Sequence, residues 1–239
     1  MSITRRKMSI LLIPLLALII ASCATIGGKR TERSQVAQIE KVESAIEVIN
    51  ELANIPEEGI PEELMRNAYG ITIIPRLIKA AYGIGGQYGR GVLVVRDQEG
   101  EWSNPSFITI VGGSFGWQIG VQSADIILVF KSRKSIEDIT KGTFTLGVDA
   151  GVAAGPVGRR AGASTDIELK AEIYTYSRSR GVFAGISIEG ASIRIDNDAN
   201  AVFYENSTIH ATDIFMNKAI KAPAIVEKLK NILAEYTRR

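Results

Sequence analysis

Histidine and cysteine are almost absent from this sequence, with one of each in 239 residues. His210 and Cys23 together fall short of the ligand set of a usual zinc or copper site. Cys23 also has no partner for an intramolecular disulfide. Asp196-Asn197-Asp198 offers hard oxygens but lacks the rest of an EF-hand calcium loop, so a solvated turn is expected there. A strong charge of one sign is missing as well. The formal net charge is +2, and no global basic field exists to draw nucleic acid. No metal, cofactor or nucleic-acid partner is expected.

Glycine, by contrast, is plentiful at 23 residues, and glycine-rich loops raise the question of phosphate cradles. Gly83-Ile84-Gly85-Gly86-Gln87-Tyr88 places tyrosine where a dinucleotide fingerprint needs its third glycine, and no βαβ unit surrounds it. Gly28-Lys29-Arg30 lacks the hydroxyl residue after lysine. Gly112-Gly113-Ser114-Phe115-Gly116 does match G-x-S-x-G, and with His210 last in the chain the order is permissive for the α/β-hydrolase arrangement. A nucleophile elbow needs a helix straight after the serine, whereas Trp117 to Val121 alternates like a strand. A hydrolase using Ser114 is the third-ranked expectation, and a non-enzymatic chain is preferred.

The amino terminus is built as an address. Arg5, Arg6 and Lys7 precede an apolar run from Met8 to Ile20, too short for a comfortable membrane span and laid out like a secretory signal. Ala21-Ser22-Cys23 follows, resembling the bacterial lipobox, in which the cysteine is lipidated and becomes the first residue. Removing residues 1–22 takes three basic residues from 28 and leaves 25 against 26 Asp and Glu. Any cationic site in the mature chain is therefore local. Ala24 after the cysteine predicts outward sorting, to the outer membrane facing the periplasm.

Residues 23–31 read as a lipidated tether, and 32–59 as an amphipathic helix and turn. Val36, Ile39, Val42, Ile46, Ile49 and Ala53 form one helical stripe, with Lys41, Glu43 and Glu47 off it. Its polar face is mixed to acidic, so packing on the domain is expected rather than membrane contact. A short helix begins near Pro61-Glu62-Glu63 and stops before Gly70. Ile71 to Ile74 predicts a buried strand closed by Pro75, and Val92 to Val95 another after a glycine-dense stretch. Asp97-Gln98-Glu99-Gly100 signals the turn of a hairpin returning through Trp102 to Ile110. Val111 to Phe130 alternates, with Trp117, Ile119, Val121, Ile127 and Val129 on one side. A helical turn is expected at Ile136 to Ile139, and strands at Thr143 to Ala154 and Ile167 to Thr175. In Tyr174 to Gly190, Val182, Ala184, Ile186 and Ile188 alternate along a strand entered from a turn at Arg178-Ser179-Arg180. Pro223 opens a last amphipathic helix, with Ile225, Leu229, Ile232, Leu233 and Tyr236 inward. The fold class is α+β: a glycine-rich, mainly antiparallel, barrel-like sheet of short strands flanked by helices at both ends.

Basic residues gather at three loop ends: Lys131, Arg133 and Lys134 after a strand, Arg159 and Arg160 after Gly155-Pro156-Val157-Gly158, and Arg178 with Arg180. The guanidinium fork suits phosphate oxygens. If the loops share one end of the sheet, these seven residues make an anion site, and they are the headgroup candidates.

Trp102-Ser103-Asn104-Pro105-Ser106, Ser123-Ala124-Asp125-Ile126-Ile127, Leu146-Gly147, Ala154 to Arg159, Tyr174 to Gly190 and Phe203-Tyr204 together resemble the SYLF domain. The likeness runs over about residues 60–214, leaving 215–239 as a helix packing on the domain. It implies a lipid-binding module rather than an enzyme. Eukaryotic members of that family are linked to phosphoinositides, membrane remodelling and, in a yeast branch, actin filaments. Their membrane contact is attributed to an amphipathic segment near the domain start and to basic residues. Here that segment carries Glu62 and Glu63, and a bacterial envelope offers no actin. The expectation is a lipid-anchored envelope lipoprotein that binds anionic phospholipid. The runner-up is a structural or protein-interaction lipoprotein with an envelope protein partner.

Overall fold

The computed structural model describes residues 34–51, 59–82, 84–115, 120–156, 170–179, 182–185 and 188–238. Cys23, the signal segment, Ala53, Trp117, Ile119, Arg159, Arg160 and Arg180 lie outside them. The first helix, α1, spans 34–51, followed by α2 (Glu62–Arg66) and four long strands. These are β1 (Gly70–Tyr82), β2 (Ile84–Val95), β3 (Ser106–Phe115) and β4 (Gly120–Phe130). Helix α3 (Arg133–Lys141) leads to β5 (Phe144–Thr145), β6 (Val152–Ala154), β7 (Ile173–Ser179), β8 (Val182–Gly185) and β9 (Ser192–Ile195). Three helices close the chain: α4 (Asn197–Phe203), α5 (Ala211–Met216) and α6 (Ile225–Arg238).

The nine strands form one sheet in the order β5-β9-β3-β2-β1-β4-β7-β6, with β8 beside the second half of β7. Among the described strands only the β6–β7 pairing is parallel. The α+β class and the antiparallel, helix-flanked sheet are as the sequence indicates. Strand lengths are not. β1 has 13 residues and β2 has 12, so the glycine-dense stretch belongs to strands, and Pro75 interrupts β1 without ending it. Residues 111–115 and 120–130 fall in two strands, β3 and β4, that are separated by β2 and β1.

Both faces of the sheet carry a core because the strands alternate. Ile71, Ile73, Val92, Val94, Ile127 and Val129 point to one face, where they meet Val42, Ile46 and Ile49 of α1, Leu64 of α2 and Val226, Leu229 and Leu233 of α6. Ile74, Leu77, Leu93, Ile126 and Leu128 point to the other, against Ile136 and Ile139 of α3. Helix α1 thus packs on the domain through most of its stripe. Val36 departs from it and is 52% exposed.

Asp196-Asn197-Asp198 begins a helix instead of a free turn. Asp196 caps α4 by accepting from the Ala199 amide at 3.1 Å. Asn200 in that helix is fully buried. Its Oδ1 accepts from the Phe107 amide at 2.8 Å and its Nδ2 donates to Ser106 Oγ at 3.0 Å. These bonds fasten α4 to the start of β3. Among the described residues no helix is long and apolar enough to cross a membrane, and no three His, Cys, Asp or Glu side chains are grouped to hold a metal.

Candidate functional site: a cationic cleft between the first helix and the sheet

Pro75 lacks an amide hydrogen and cannot complete a ladder, and β1 accommodates it with a bulge. Ile74 pairs with Ile126 and Leu77 with Ala124, so Pro75 and Arg76 stand opposite the single residue Asp125. Arg76 takes a left-handed backbone, φ 58°, unusual for a residue with a side chain. Its amide donates to Asp125 Oδ1 at 3.0 Å. The other Asp125 oxygen lies 3.6 Å from Nε of Arg178, its cross-strand neighbour on β7. Arg178 also pairs with Glu51 at the end of α1. One carboxylate therefore closes the bulge and, through Arg178, links the end of α1 to the sheet.

Held this way, α1 crosses the sheet and forms one wall of an open cleft of about 300 Å³. Ile78 and Tyr88 lie on its floor, 48% and 45% exposed. Lys41, Arg76 and Arg90 line it against one carboxylate, Glu40. Asp196 approaches Arg90 Nε at 3.9 Å. Lys41 is held below the usual lysine range, first by burial and then by the Arg90 charge, with Asp196 pulling the other way. Repulsion between two cations is relieved when an anion enters. Arg90 lies 6.0 Å from the Tyr88 ring centre and Lys41 6.0 Å from that of Phe107, distances at which aromatic faces attract cations weakly.

The residues singled out from sequence are placed differently. Lys131 follows β4, its amide bonded to the Glu172 carbonyl at 2.8 Å and its ammonium 5.9 Å from the Tyr174 ring. Arg133 pairs with Glu137 at 3.4 Å on α3, and Lys134 is exposed beside it. Arg178 sits within β7 rather than at a turn, with its side chain 20% exposed between two carboxylates. Along β4, six residues separate Asp125 from Lys131, roughly 20 Å. The structure therefore does not gather Lys131, Arg133, Lys134 and Arg178 into one site. Arg178 belongs to the framework of the cleft, and Lys131 to the opposite end of β4. Ser114 stands in β3, opposite Gly85. His210 is an exposed residue immediately before α5.

Lys41, Arg76 and Arg90 escaped the sequence argument because none of them is paired locally with another cation. The available signals were Lys41 off the apolar stripe of α1, and arginines directly after Pro75 and between Gly89 and Gly91. Two hollows of about 400 Å³ lie elsewhere. One, beside α6, is lined by Glu101, Glu227 and Glu235 against Lys230. The other contains Lys141, Arg194 and His210. Neither combines several cations with a large exposed apolar side chain.

A family described as Ysc84, Las17-binding protein actin regulator, matches residues 111–236. The chain is 33% identical over 187 residues to SH3 domain-containing YSC84-like protein 1 of Xenopus laevis, spanning 78% of this chain and 55% of that protein. The human protein of that name is 34% identical over 187 residues, spanning 78% of this chain and 54% of its own length. LAS seventeen-binding protein 3 of Saccharomyces cerevisiae is 34% identical over 181 residues, 74% of this chain and 39% of that one. The chain thus spans about half the length of its vertebrate relatives and less of the yeast protein. With sheet, flanking helices and this match together, the chain belongs to the Ysc84 family of SYLF domains.

Proposed function

We propose that this chain is a membrane-attached bacterial envelope lipoprotein whose SYLF domain binds anionic phospholipid headgroups in the cleft beside α1. One observation carries the reading: Lys41, Arg76 and Arg90, from three separate elements, converge beside the exposed Ile78 and Tyr88. Cations beside amphipathic apolar surface suit a phosphate headgroup above acyl chains. Acyl chains on Cys23 supply the attachment, and the likeness of Ala21-Ser22-Cys23 to a lipobox supports it. The cleft then orients a domain that is already held at the surface. Phosphatidylglycerol and cardiolipin are the ligand class, and the outer membrane is the proposed site of action. What the relatives' names say of actin regulation and Las17 binding is not carried to this chain.

The test is vesicle co-sedimentation of the chain from Ala24 onward, which keeps every described element. Phosphatidylcholine vesicles with and without phosphatidylglycerol are compared across a salt series. Binding is expected only with the anionic lipid, weakening as salt rises. Each basic residue near such a surface contributes about 1 kcal/mol, so Lys41→Glu with Arg90→Glu lowers affinity by more than about tenfold. Arg133→Glu with Lys134→Glu leaves it nearly unchanged. Equal binding to neutral vesicles, or a greater loss from the second pair, overturns the assignment. Absence of binding to either vesicle favours a protein-interaction lipoprotein.

A further inference from the structure

Beyond the cleft, the far halves of β1–β4 leave one face of the sheet open. Along β2 the burial alternates: Gly85, Gln87 and Gly89 are buried, while Gly86, Tyr88 and Arg90 are exposed. The strand register aligns the open positions into rows. Ser123, Ile78, Tyr88 and Val111 stand side by side across β4, β1, β2 and β3. The next row outward is Val121, Ala80, Gly86 and Gly113. Ile78, Tyr88, Val111 and Val121 are 48%, 45%, 51% and 75% exposed, half of the eight large apolar side chains exposed among the described residues. No charged residue stands in either row. Lys41, Arg76 and Arg90 border the rows on the side of α1.

We infer that this open sheet face inserts shallowly into an anionic bilayer, with Ile78, Tyr88, Val111 and Val121 at the acyl boundary and the three cations at the headgroups. The inference rests on the proposed lipid reading and deepens it: the lipid is met by a strand surface, not only by a headgroup cleft. Four strands across and two rows deep cover roughly 14 Å by 10 Å. That is far below the roughly 800 Å² per partner of a stable protein interface, yet sufficient for a few side chains at a lipid boundary. Charge agrees with area, since the border is cationic. The two inner strands suit such a surface: β1 and β2 are hydrogen-bonded on both sides through these rows, so their amides seek no partner in lipid, while β3 and β4 form the outer edges of the patch. The position of α1 is consistent, because the anchor at Cys23 precedes the helix that walls this face.

Cys23 is the only cysteine, so the chain from Ala24 onward accepts a single environment-sensitive label. Val121→Cys and, as a control, the equally exposed Val148→Cys in the turn after β5 carry the label in separate samples. On phosphatidylglycerol vesicles the probe at 121 is expected to brighten, shift to the blue and be quenched by brominated acyl chains, while the probe at 148 stays unchanged. Ile78→Glu with Val121→Glu is expected to weaken sedimentation by about tenfold with the fold intact by circular dichroism. If vesicles bind but the probe at 121 does not respond and the glutamate pair binds as well as the parent, insertion is wrong and the headgroup cleft stands. If the parent chain does not bind anionic vesicles, both fall. A concentration-dependent response at 121 without vesicles means that a second copy covers this face, and it too overturns insertion.

Discussion

Replacing Asp125 is the most informative perturbation of the framework that holds the cleft. Its carboxylate accepts the Arg76 amide at 3.0 Å and faces Arg178 at 3.6 Å, with side-chain exposures of 18% for Asp125 and 20% for Arg178. A hydrogen bond to a charged group is worth about 1.5–3 kcal/mol. The left-handed Arg76 it supports costs roughly 1–3 kcal/mol, a cost that stays when the bond is gone. Asp125→Ala removes both contacts and is expected to cost about 2–3 kcal/mol. Asp125→Asn keeps an oxygen for the Arg76 amide and leaves Arg178 to Glu51, so about 1 kcal/mol is expected. The assay is equilibrium urea unfolding followed by far-ultraviolet circular dichroism. At roughly 2–3 kcal/mol/M for a chain of this size, the alanine midpoint moves down by about 1 M and the asparagine midpoint by less than half of that. An alanine variant within about 0.5 kcal/mol of the parent refutes the role. Equal losses in both variants would refute the hydrogen-bond share and leave only the ion pair.

Gly91→Ala places a Cβ 2.1 Å from the Ile73 carbonyl oxygen and 2.9 Å from the Ile74 Cα. Backbone cannot rotate aside, so a loss above about 3 kcal/mol is expected in thermal unfolding, and an unchanged midpoint would mean that β1 does not close on Gly91 at the bulge. Burial raises the pKa of Asp97, but its hydrogen bonds from Lys218, Glu101 and Glu99 and the Lys218 charge outweigh that and leave it lowered. A depressed carboxylate gives stability that is present above its unfolded pKa of about 3.9 and is lost as pH falls through the lower folded value. Lys218→Ala is expected to reduce that acid-side loss relative to the parent, and identical acid profiles would remove the pair from the account.

Much of the fold was legible because it follows from period. The stripe of α1 and the Pro223-led helix bury apolar residues at regular spacing, and the hairpin at Asp97 to Gly100 has its own turn chemistry; the alternation of β4 is buried at Ile127 and Val129 but not at Val121, which is 75% exposed. The strand content of 84–91 was not legible. Glycine has low strand propensity, and those residues form a strand because β1 and β3 pair with them on either side. Helix α4 was hidden because Asn197-Asp198-Ala199-Asn200 has turn-like composition, while the bonds that order it come from Phe107 and Ser106, more than 90 positions away. The cations of the cleft were hidden for a related reason. Local pairs such as Arg133 and Lys134 stand out in a sequence, whereas Lys41, Arg76 and Arg90 meet only after α1 has crossed a bulged strand. Asp125 stands in the Ser123 to Ile127 motif, but nothing local marks its partners at 51, 76 and 178.

Mechanically, β1–β4 form a cantilever. One end is clamped between two apolar cores, and the other projects with one face open. Between the two spans the β2–β3 ladder runs on without a break, whereas both ladders of β1 shift register. The Pro75-Arg76 bulge is the elbow where clamped and free spans meet, braced by Asp125, Arg178 and Glu51. The contacts that set the attitude of the projecting face relative to α1 are therefore the same ones that contribute to the stability of the domain.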